Sequence, residues 1–594
     1  MIYSLRPNSI FIFTPTPCLC IMRVPSALTC GMHTLSLAIL FGDAAVVGGT
    51  PLPPPQPARR IVDATVNLQG AAVNGFTDPH GNSVFLGIPF AETTGGANRW
   101  KPPVAKKFTK GQNVNATNYG ATCPQAISGT TYSQQNEDCL NLNIWVPSSN
   151  SNHPNPPRGP PPVPAGPGAP KGAGLPVFVY MYGGAMVTGS SSNPQYVGTN
   201  FANKGVIFVS FNTRESLWAY PNSAELAGGA ASQNFGILDV DMALQWVRDN
   251  IAQFGGNPNH VVFGGHSSGS VQVDHYLWNH PDTWLVGAVE MAANAKSGPA
   301  VGPVNQALDL VAKEVGCPTG KGQLDCMRKV DIYAFQTTAF NATLNTYFTP
   351  VIDEKTRYRD YAARFNAGKY ASHVPLLTGN SDKEGAVFGL VYGSENTDFD
   401  TWINTFDADV ANVPDNVLKA AYNISDYASV SAMSGAQYGD ARFFCPVDYL
   451  LNMRSTKQNT WIYRFFAPYA NVLPLPVDHP THGAEIPFFF GGNEAFAGLS
   501  DVTADEQALA DYQNNWFVSW IKNPTAGPGW NKATPNSGPI GKLGVPGNQL
   551  TIEVAKTSDF NTKCKKVYEP YLPAYPVIQN VPGAVNADQG VIGN

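Results

Sequence analysis

A serine between two glycines is the residue of this chain whose surroundings best suit nucleophilic chemistry. The stretch reads Gly265-x-Ser267-x-Gly269, with a short apolar run before it and a helical pattern after it. Such a serine sits on a tight strand-to-helix turn that exposes its hydroxyl, and the glycines leave room for the neighbouring backbone. The next residue, Ser268, opens the helix, so its N–H points at an oxyanion formed on an attacked carbonyl. The pattern predicts an acyl-transfer nucleophile; the alternative is an ordinary glycine- and serine-rich loop.

Strand and helix patterns alternate around this turn and predict an α/β fold with a mostly parallel sheet. Continuous apolar runs at 175–182 and 206–210 are typical of strands buried on both faces. Apolar residues recur every three or four positions over 237–251, which predicts a helix, and a strand at 261–264 leads into the serine turn. Strand, helix and strand in this order form a right-handed crossover. Earlier, 138–146 alternates Leu and Ile with Asn and predicts a half-buried strand.

The composition suits an extracellular protein with a large core. Hydrophobic residues make up 43% of the 594 residues, and charged residues only 13%. Uncharged polar residues, glycine and proline must therefore cover much of the surface. The net charge of −6 leaves no basic footprint for nucleic acid, so we expect no nucleic-acid partner.

The N-terminal residues 1–45 have the features of a signal peptide. The stretch from Met22 continues with Arg23 and then an apolar run at 35–42, followed by small residues at a suitable cleavage position. A membrane anchor is the alternative, but the apolar run is shorter than the ~20 residues that a span needs, so we expect no stable membrane span. Met22 is also an alternative initiator. We expect cleavage of this segment and a secreted protein.

The cysteines and glycosylation sequons agree with secretion. Six cysteines lie beyond the leader: Cys123, Cys139, Cys317, Cys326, Cys445 and Cys564. An even number in a secreted chain predicts disulfides, although spacing does not fix their pairing. Asn-x-Ser/Thr sequons at Asn115, Asn341 and Asn423 predict glycosylation.

Several longer motifs resemble the type-B carboxylesterase/lipase family of α/β-hydrolases, which includes cholinesterases and secreted fungal esterases and lipases. In family order they are residues 137–145, 182–185, 234–239, 254–258 and the Ser267 turn. The resemblance covers nearly the whole chain beyond the leader and is greatest to secreted fungal carboxylesterases. It implies an α/β-hydrolase fold, hydrolysis of a small-molecule ester, and no metal or organic cofactor.

The composition and the resemblance together predict the domain organisation. We expect a proline-rich stalk at 46–60 and one α/β-hydrolase catalytic domain at 61–575. Prolines at about 147–174 form a surface insert in that domain, because such a composition cannot pack a core. A C-terminal tail follows at 576–594.

A Ser-Glu-His triad follows from the same resemblance. It makes Ser267 the nucleophile, Glu384 the acid and His482 the base. The imidazole takes the serine proton, and the carboxylate holds the imidazole in the required tautomer. Asp382 and His479 are the nearby alternatives, which fit a loop cap and a surface histidine better. Because the base must be neutral, we expect activity to rise through about pH 6 to 7.

The resemblance assigns two further sets of residues. Backbone N–H groups of Gly184, Ala185 and Ser268 would form the oxyanion hole. The implied disulfides are Cys123–Cys139, Cys317–Cys326 and Cys445–Cys564.

Three features depart from the family pattern. His266 precedes the nucleophile where the family has Glu, which removes a carboxylate beside the triad; alternatively, this histidine simply packs there. Residues 291–294 read Met-Ala-Ala-Asn in place of Gln-Ser-Gly, which puts hydrogen bonding around the triad in question. The segment 124–138 is short and lacks Trp, which argues against a lipase lid and against a cholinesterase-type cation site.

These features favour a secreted serine carboxylesterase that acts on short-chain or soluble esters through an acyl-enzyme. A lipase or sterol esterase would use the same chemistry on another substrate. A catalytically silent adhesion or scaffold protein is the alternative of another class, which the complete set of triad residues disfavours. The sequence does not determine the oligomeric state.

Overall fold

The computed structural model places the central part of the chain and leaves both ends out of the description. The described residues are 63–125, 134–148, 174–297, 307–335, 348–393, 397–406, 413–472, 479–536 and 538–572. The predicted leader, the stalk, most of the proline-rich insert and the C-terminal tail lie outside them.

Thirteen strands of the described residues form one sheet, in the order β1-β2-β3-β5-β7-β6-β8-β9-β10-β11-β12-β13, with β4 beside β2. The middle of the sheet, from β7 to β12, is parallel, and the strands toward both edges are mostly antiparallel. The strands are β1 Ala64–Leu68, β2 Ala71–Thr77, β3 Ser83–Pro89, β4 Asn113–Asn115, β5 Asn141–Val146, β6 Leu175–Met181, β7 Ile207–Phe211, β8 Gly256–His266, β9 Gly287–Met291, β10 Leu376–Ser381, β11 Thr460–Phe465, β12 Pro539–Leu543 and β13 Glu553–Lys556. The predicted α/β class with a mostly parallel sheet is confirmed.

Helices connect the strands and cover the sheet. They are α1 Thr199–Ala202, α2 Ser216–Ala219, α3 Ala224–Ala227, α4 Phe235–Asn250, α5 Ser268–Asn279, α6 Ala307–Glu314, α7 Gln323–Met327, α8 Tyr361–Asn366, α9 Ala386–Tyr392, α10 Phe399–Thr401, α11 Asp415–Ala421, α12 Val430–Gly439, α13 Cys445–Arg454, α14 Ile486–Phe489 and α15 Ala504–Lys522. The helix predicted over 237–251 is α4 with the first residue of the 3₁₀ turn that follows it.

Both faces of the central strands are buried. Phe178 of β6 packs against Phe201 of α1 and Phe517 of α15. In the next strand, Phe263 packs against Tyr276 of α5. Phe263 lies opposite the residue that follows Phe178 in β6. Because side chains alternate between the two faces along a strand, the two phenylalanines point to opposite faces of the sheet. Helices therefore cover both sides of the sheet, which explains the continuous apolar runs in these strands.

The prediction of a half-buried strand at 138–146 is wrong. Strand β5 lies between β3 and β7, and five of its six residues are buried. Asn143 tolerates this position because its side chain is hydrogen-bonded. Its Nδ2 donates to the hydroxyls of Ser191 and Ser210, and its Oδ1 accepts the N–H of Gly87. A polar side chain whose hydrogen bonds are all made can lie in a buried strand. The alternation of apolar and polar residues in this stretch therefore did not mean that one face of the strand is exposed.

Within the described residues, three disulfides join the six cysteines. The pairs are Cys123–Cys139, Cys317–Cys326 and Cys445–Cys564. These are the pairs that the family resemblance implies.

Candidate active site

Ser267 occupies the turn between β8 and α5. Its backbone has φ 56° and ψ −125°, a conformation that non-glycine residues rarely adopt. The N–H of Ser267 donates to the carbonyl of Met291 at 2.8 Å, which fixes the turn against the end of β9. A strained backbone that its surroundings hold in place is typical of a functional position.

The two flanking glycines are required by close backbone contacts. A Cβ atom on Gly265 would lie 2.5 Å from the carbonyl carbon of Gly269. One on Gly269 would collide with the carbonyl oxygens of Met181 and Tyr182 at the end of β6. The turn can therefore approach its neighbours this closely only with glycine at both positions.

Glu384 and His482 come together from separate loops. Glu384 follows β10, and His482 precedes α14, yet the His482 Nδ1 lies 2.6 Å from the Glu384 Oε2. The other carboxylate oxygen accepts the N–H of Ser381 at 2.7 Å. With Nδ1–H donating to the carboxylate, Nε2 is the nitrogen left to act as a base. This Nε2 is buried and makes no hydrogen bond with any described residue, Ser267 included.

Burial shifts the ionisation of both groups. It lowers the pKa of the His482 imidazole well below its ordinary value. It raises the pKa of Glu384, and the N–H of Ser381 opposes that shift because it stabilises the carboxylate. A neutral imidazole then persists at lower pH than in an exposed histidine. The acid limb of activity is accordingly expected below the pH 6 to 7 range that the sequence suggested.

Three rings surround His482. The ring centroid of His266 lies 4.5 Å away, that of Phe443 4.6 Å away and that of Phe388 5.5 Å away. His266 is itself buried, and its pKa is lowered first by burial and then by the neighbouring His482. His266 is therefore neutral, and its ring packs against the candidate base at a sequence position where the family pattern has a carboxylate.

Replacing His266 with Glu should move the acid limb of kcat/KM to higher pH by about one unit. A carboxylate beside His482 stabilises the imidazolium, so a higher pH is needed to reach the neutral base. The pH dependence of kcat/KM for a non-ionising ester measures this shift. His266→Gln is the matched neutral control and should leave the limb in place. An acid limb of kcat/KM that is unchanged or moves to lower pH in His266→Glu would contradict this account.

The loop after β6 lies against the nucleophile. Gly184 has φ 142° and Ala185 has φ 54°, so the loop needs unusual backbone at both positions. A Cβ on Gly183 would lie 2.7 Å from the Ser267 Cβ, which shows how close the loop comes. Ser268 is the first residue of α5, as an oxyanion donor at a helix start requires.

A cavity of about 130 Å³ opens at Ser267. Its described lining is mostly apolar and aromatic, with two arginines. The lining residues are Ala185, Met186, Ser267, Ser268, Val271, His275, Ala293, Ser297, Thr349, Pro350, Arg357, Phe388, Tyr438, Arg442 and Phe443.

The alternative triad residues have different surroundings. Asp382 faces Arg464 at 3.8 Å and Lys383 at 3.6 Å. His479 is exposed. The contact with the candidate base is made by Glu384.

Residues 291–294 depart from the family pattern, yet the side chain of Asn294 is hydrogen-bonded. Its Nδ2 donates to the carbonyl of Pro446 at 2.9 Å. Ala292 has φ 57°, and its N–H donates to the carbonyl of Gly379 at 2.7 Å. This segment is thus tied both to β10 and to the start of α13.

The structure describes two of the three predicted glycosylation sites. Asn115 and Asn423 are exposed, whereas Asn341 lies outside the described residues.

Within the described ranges, no group of three His, Cys, Asp or Glu side chains is arranged to hold a metal ion. No helix in this part of the chain is long and apolar enough to cross a bilayer.

Sequence reasoning missed three polar residues of the site. Glu485 is buried beside the triad, and its Oε2 accepts the hydroxyl of Ser381 at 2.7 Å. Burial, and then Glu384, raise its pKa to about 8. Its position three residues after His482 was a signal that could have found it. Arg357 and Arg442 line the cavity but belong to no motif, so nothing in the sequence marked them.

Comparisons with known proteins show which family and fold the chain shares. The model of the carboxylesterase family matches residues 62–564. A secreted lipase 5 of Gibberella zeae is 27% identical over 491 residues, which cover 76% of this chain and 83% of that protein. A chlorogenic acid esterase of Aspergillus niger is 28% identical over 493 residues, 78% and 83% of the two chains. The solved structure of a PNB esterase superposes with a TM-score of 0.68 at 24% sequence identity. The match covers 85% of this chain and 99% of that one. The α/β-hydrolase fold is thereby confirmed.

Proposed function

Because the chain belongs to the carboxylesterase family and is a carboxylic ester hydrolase, we propose that it is secreted and hydrolyses short-chain or soluble esters through an acyl-enzyme on Ser267. The observation that carries this proposal is the 2.6 Å contact of Glu384 with His482 beside the cavity that Ser267 lines. Ring contacts link the two features, since Phe388 and Phe443 touch His482 and also line that cavity.

In the proposed reaction, the Ser267 hydroxyl attacks the ester carbonyl while His482 Nε2 takes its proton. Glu384 holds the imidazole by Nδ1 and stabilises the imidazolium that forms. The negative charge on the carbonyl oxygen is held by N–H groups of Gly184, Ala185 and Ser268. His482 then protonates the leaving alcohol, and water, activated by the same imidazole, releases the acid from the serine.

The size of the cavity supports a short substrate. A cavity of 150 Å³ in another protein holds one benzene molecule, and the cavity at Ser267 is about 130 Å³. A short acyl chain or a single ring is the group that such a space accommodates. A lipase is the second candidate, because several relatives are named lipases, two of them secreted lipases. The prediction against a lid stays a prediction, since residues 126–133 lie outside the described part of the chain.

Secretion has three supports. Relatives are named as secreted proteins, and the described cysteines are paired in disulfides, which persist in oxidising compartments. Asn115 and Asn423 are exposed, as glycosylation requires.

Hydrolysis of p-nitrophenyl esters from acetate to palmitate by the secreted protein tests the substrate proposal. We expect kcat/KM to be highest for the short chains and at least about 10-fold lower for palmitate, since one misplaced apolar group costs about 1–3 kcal/mol in a pocket. Ser267→Ala serves as the blank for each ester. A preference for palmitate would contradict the proposal and favour the lipase.

A further inference from the structure

The cavity at Ser267 runs along one face of α5. Its lining includes Ser267, Ser268, Val271 and His275, which follow one another at steps of one, three and four residues. Residues three or four positions apart lie on the same side of an α-helix, so these side chains form one strip of the cavity wall. Because each residue adds about 1.5 Å to a helix, His275 lies roughly 12 Å from Ser267 along the helix axis.

The part of the cavity beside the candidate base is aromatic. Phe388 and Phe443 line the cavity and pack on His482, and their ring centroids lie 5.7 Å apart. Val271, one helical turn after the nucleophile, adds an apolar side chain that is 7% exposed. An aromatic substrate ring is favoured beside such rings, because aromatic pairs gain from edge-to-face or offset contacts beyond the area that they bury.

His275 adds a polar side chain at the end of the cavity away from the nucleophile. The residue is only 1% exposed. Burial, and after it the charge of Arg357, lower the pKa of the His275 imidazole to about 3. The ring is therefore neutral at the pH of any assay. A neutral imidazole has one N–H donor and one acceptor nitrogen, and the tautomer decides which nitrogen is which.

One of the two ring nitrogens of His275 has a hydrogen-bond partner among the described residues. Its Nδ1 lies 3.5 Å from the hydroxyl oxygen of Tyr361, which is a long hydrogen bond. Its Nε2 makes no hydrogen bond with any residue that the structure describes. Buried polar atoms nearly always have a partner, and a group that enters the cavity can supply one. A hydroxyl fits either tautomer, because it both donates and accepts.

We propose that His275 is a specificity-determining residue that hydrogen-bonds a hydroxyl group at the far end of the substrate portion in this cavity. With an aromatic ring in the space before it, the preferred substrates are esters whose acid or alcohol carries a hydroxyphenyl group. This inference rests on the proposed function, because it assigns the substrate class of the Ser267 site.

The test uses two pairs of esters, and the members of each pair differ by one hydroxyl. The acyl pair is ethyl phenylpropanoate and its para-hydroxy derivative; the alcohol pair is phenylethyl acetate and its para-hydroxy derivative. The two-carbon spacer keeps the ring substituent from changing the reactivity of the ester bond. In one of the pairs we expect kcat/KM to be about 10-fold or more higher for the hydroxylated ester, since the other ester leaves Nε2 unpaired.

Substitutions of His275 show whether this residue causes the preference. His275→Leu should lower the ratio of the two kcat/KM values about 10-fold. His275→Gln, whose amide also donates and accepts, should restore part of the ratio. The matched control is His280→Leu, at the end of the same helix but outside the cavity lining, which should leave the ratio unchanged. Because the readout is a ratio within one protein sample, partial unfolding does not alter it.

The outcomes separate this inference from the proposed function. Equal kcat/KM within both pairs in the wild-type protein, with turnover that Ser267→Ala abolishes, would overturn the substrate class alone. So would a preference for the hydroxylated ester that His275→Leu leaves intact. If His275→Leu does not fold, His275→Phe, which keeps a ring without its nitrogens, decides in its place. Turnover that persists in Ser267→Ala would overturn the proposed function, and this inference with it.

Discussion

Replacing Ser267 with Ala is expected to lower kcat about 10⁴- to 10⁶-fold for every ester that the protein hydrolyses. The loss is this large because no acyl-enzyme forms without the hydroxyl, and the remaining groups only bind the substrate and stabilise the oxyanion. The measurement is the rate of p-nitrophenyl butyrate hydrolysis, corrected for the rate in buffer and compared with wild type at saturating substrate.

The fold should survive this change. Alanine must accept the φ of 56° at the turn, and Ala185 already adopts φ 54° in the same site. The melting temperature should stay close to that of wild type, and Ser500→Ala, at an exposed serine, should match wild type in both rate and stability. Residual activity above about 1% of wild type in a folded Ser267→Ala protein would exclude this serine as the nucleophile.

Replacing His482 with Asn should cause a loss of similar size, about 10⁴-fold or more in kcat. The side chain of Asn cannot take the serine proton, and it leaves the buried carboxylate of Glu384 without the imidazole that lies 2.6 Å from it. Saturating rates of p-nitrophenyl butyrate hydrolysis across pH 5 to 9 give the measurement.

His479 provides the matched control, three residues earlier on the same loop. It is exposed and lies outside the lining of the cavity, so His479→Asn should stay within about twofold of wild type, as surface substitutions usually do. The reverse pattern, with His479→Asn inactive and His482→Asn active, would reject the assignment of the base.

The local sequence predicted the framework of the site, because periodicity and glycine placement report on the backbone. Helix α4, the strands β6 to β8 and the Ser267 turn all follow from such patterns. The prediction for β5 was wrong because Asn143 is buried with its hydrogen bonds satisfied, and those partners come from distant segments.

The acid and the base could be assigned only by resemblance to a family. No local pattern distinguishes Glu384 from Asp382, two residues away; the difference is that Asp382 faces Arg464 and Glu384 contacts His482. Arg357 and Arg442 were missed for the same reason. They lie on segments far apart in sequence, so only the folded chain brings them to one cavity.

The most direct test of the central claim is covalent labelling with an alkyl fluorophosphonate, in which the serine oxygen attacks phosphorus and fluoride leaves. Intact mass spectrometry and peptide mapping would locate the adduct. This account predicts one adduct per chain, on the peptide that contains Ser267, formed in step with the loss of activity and absent from Ser267→Ala. Loss of activity with the adduct on another residue, or with Ser267 unmodified, would contradict it.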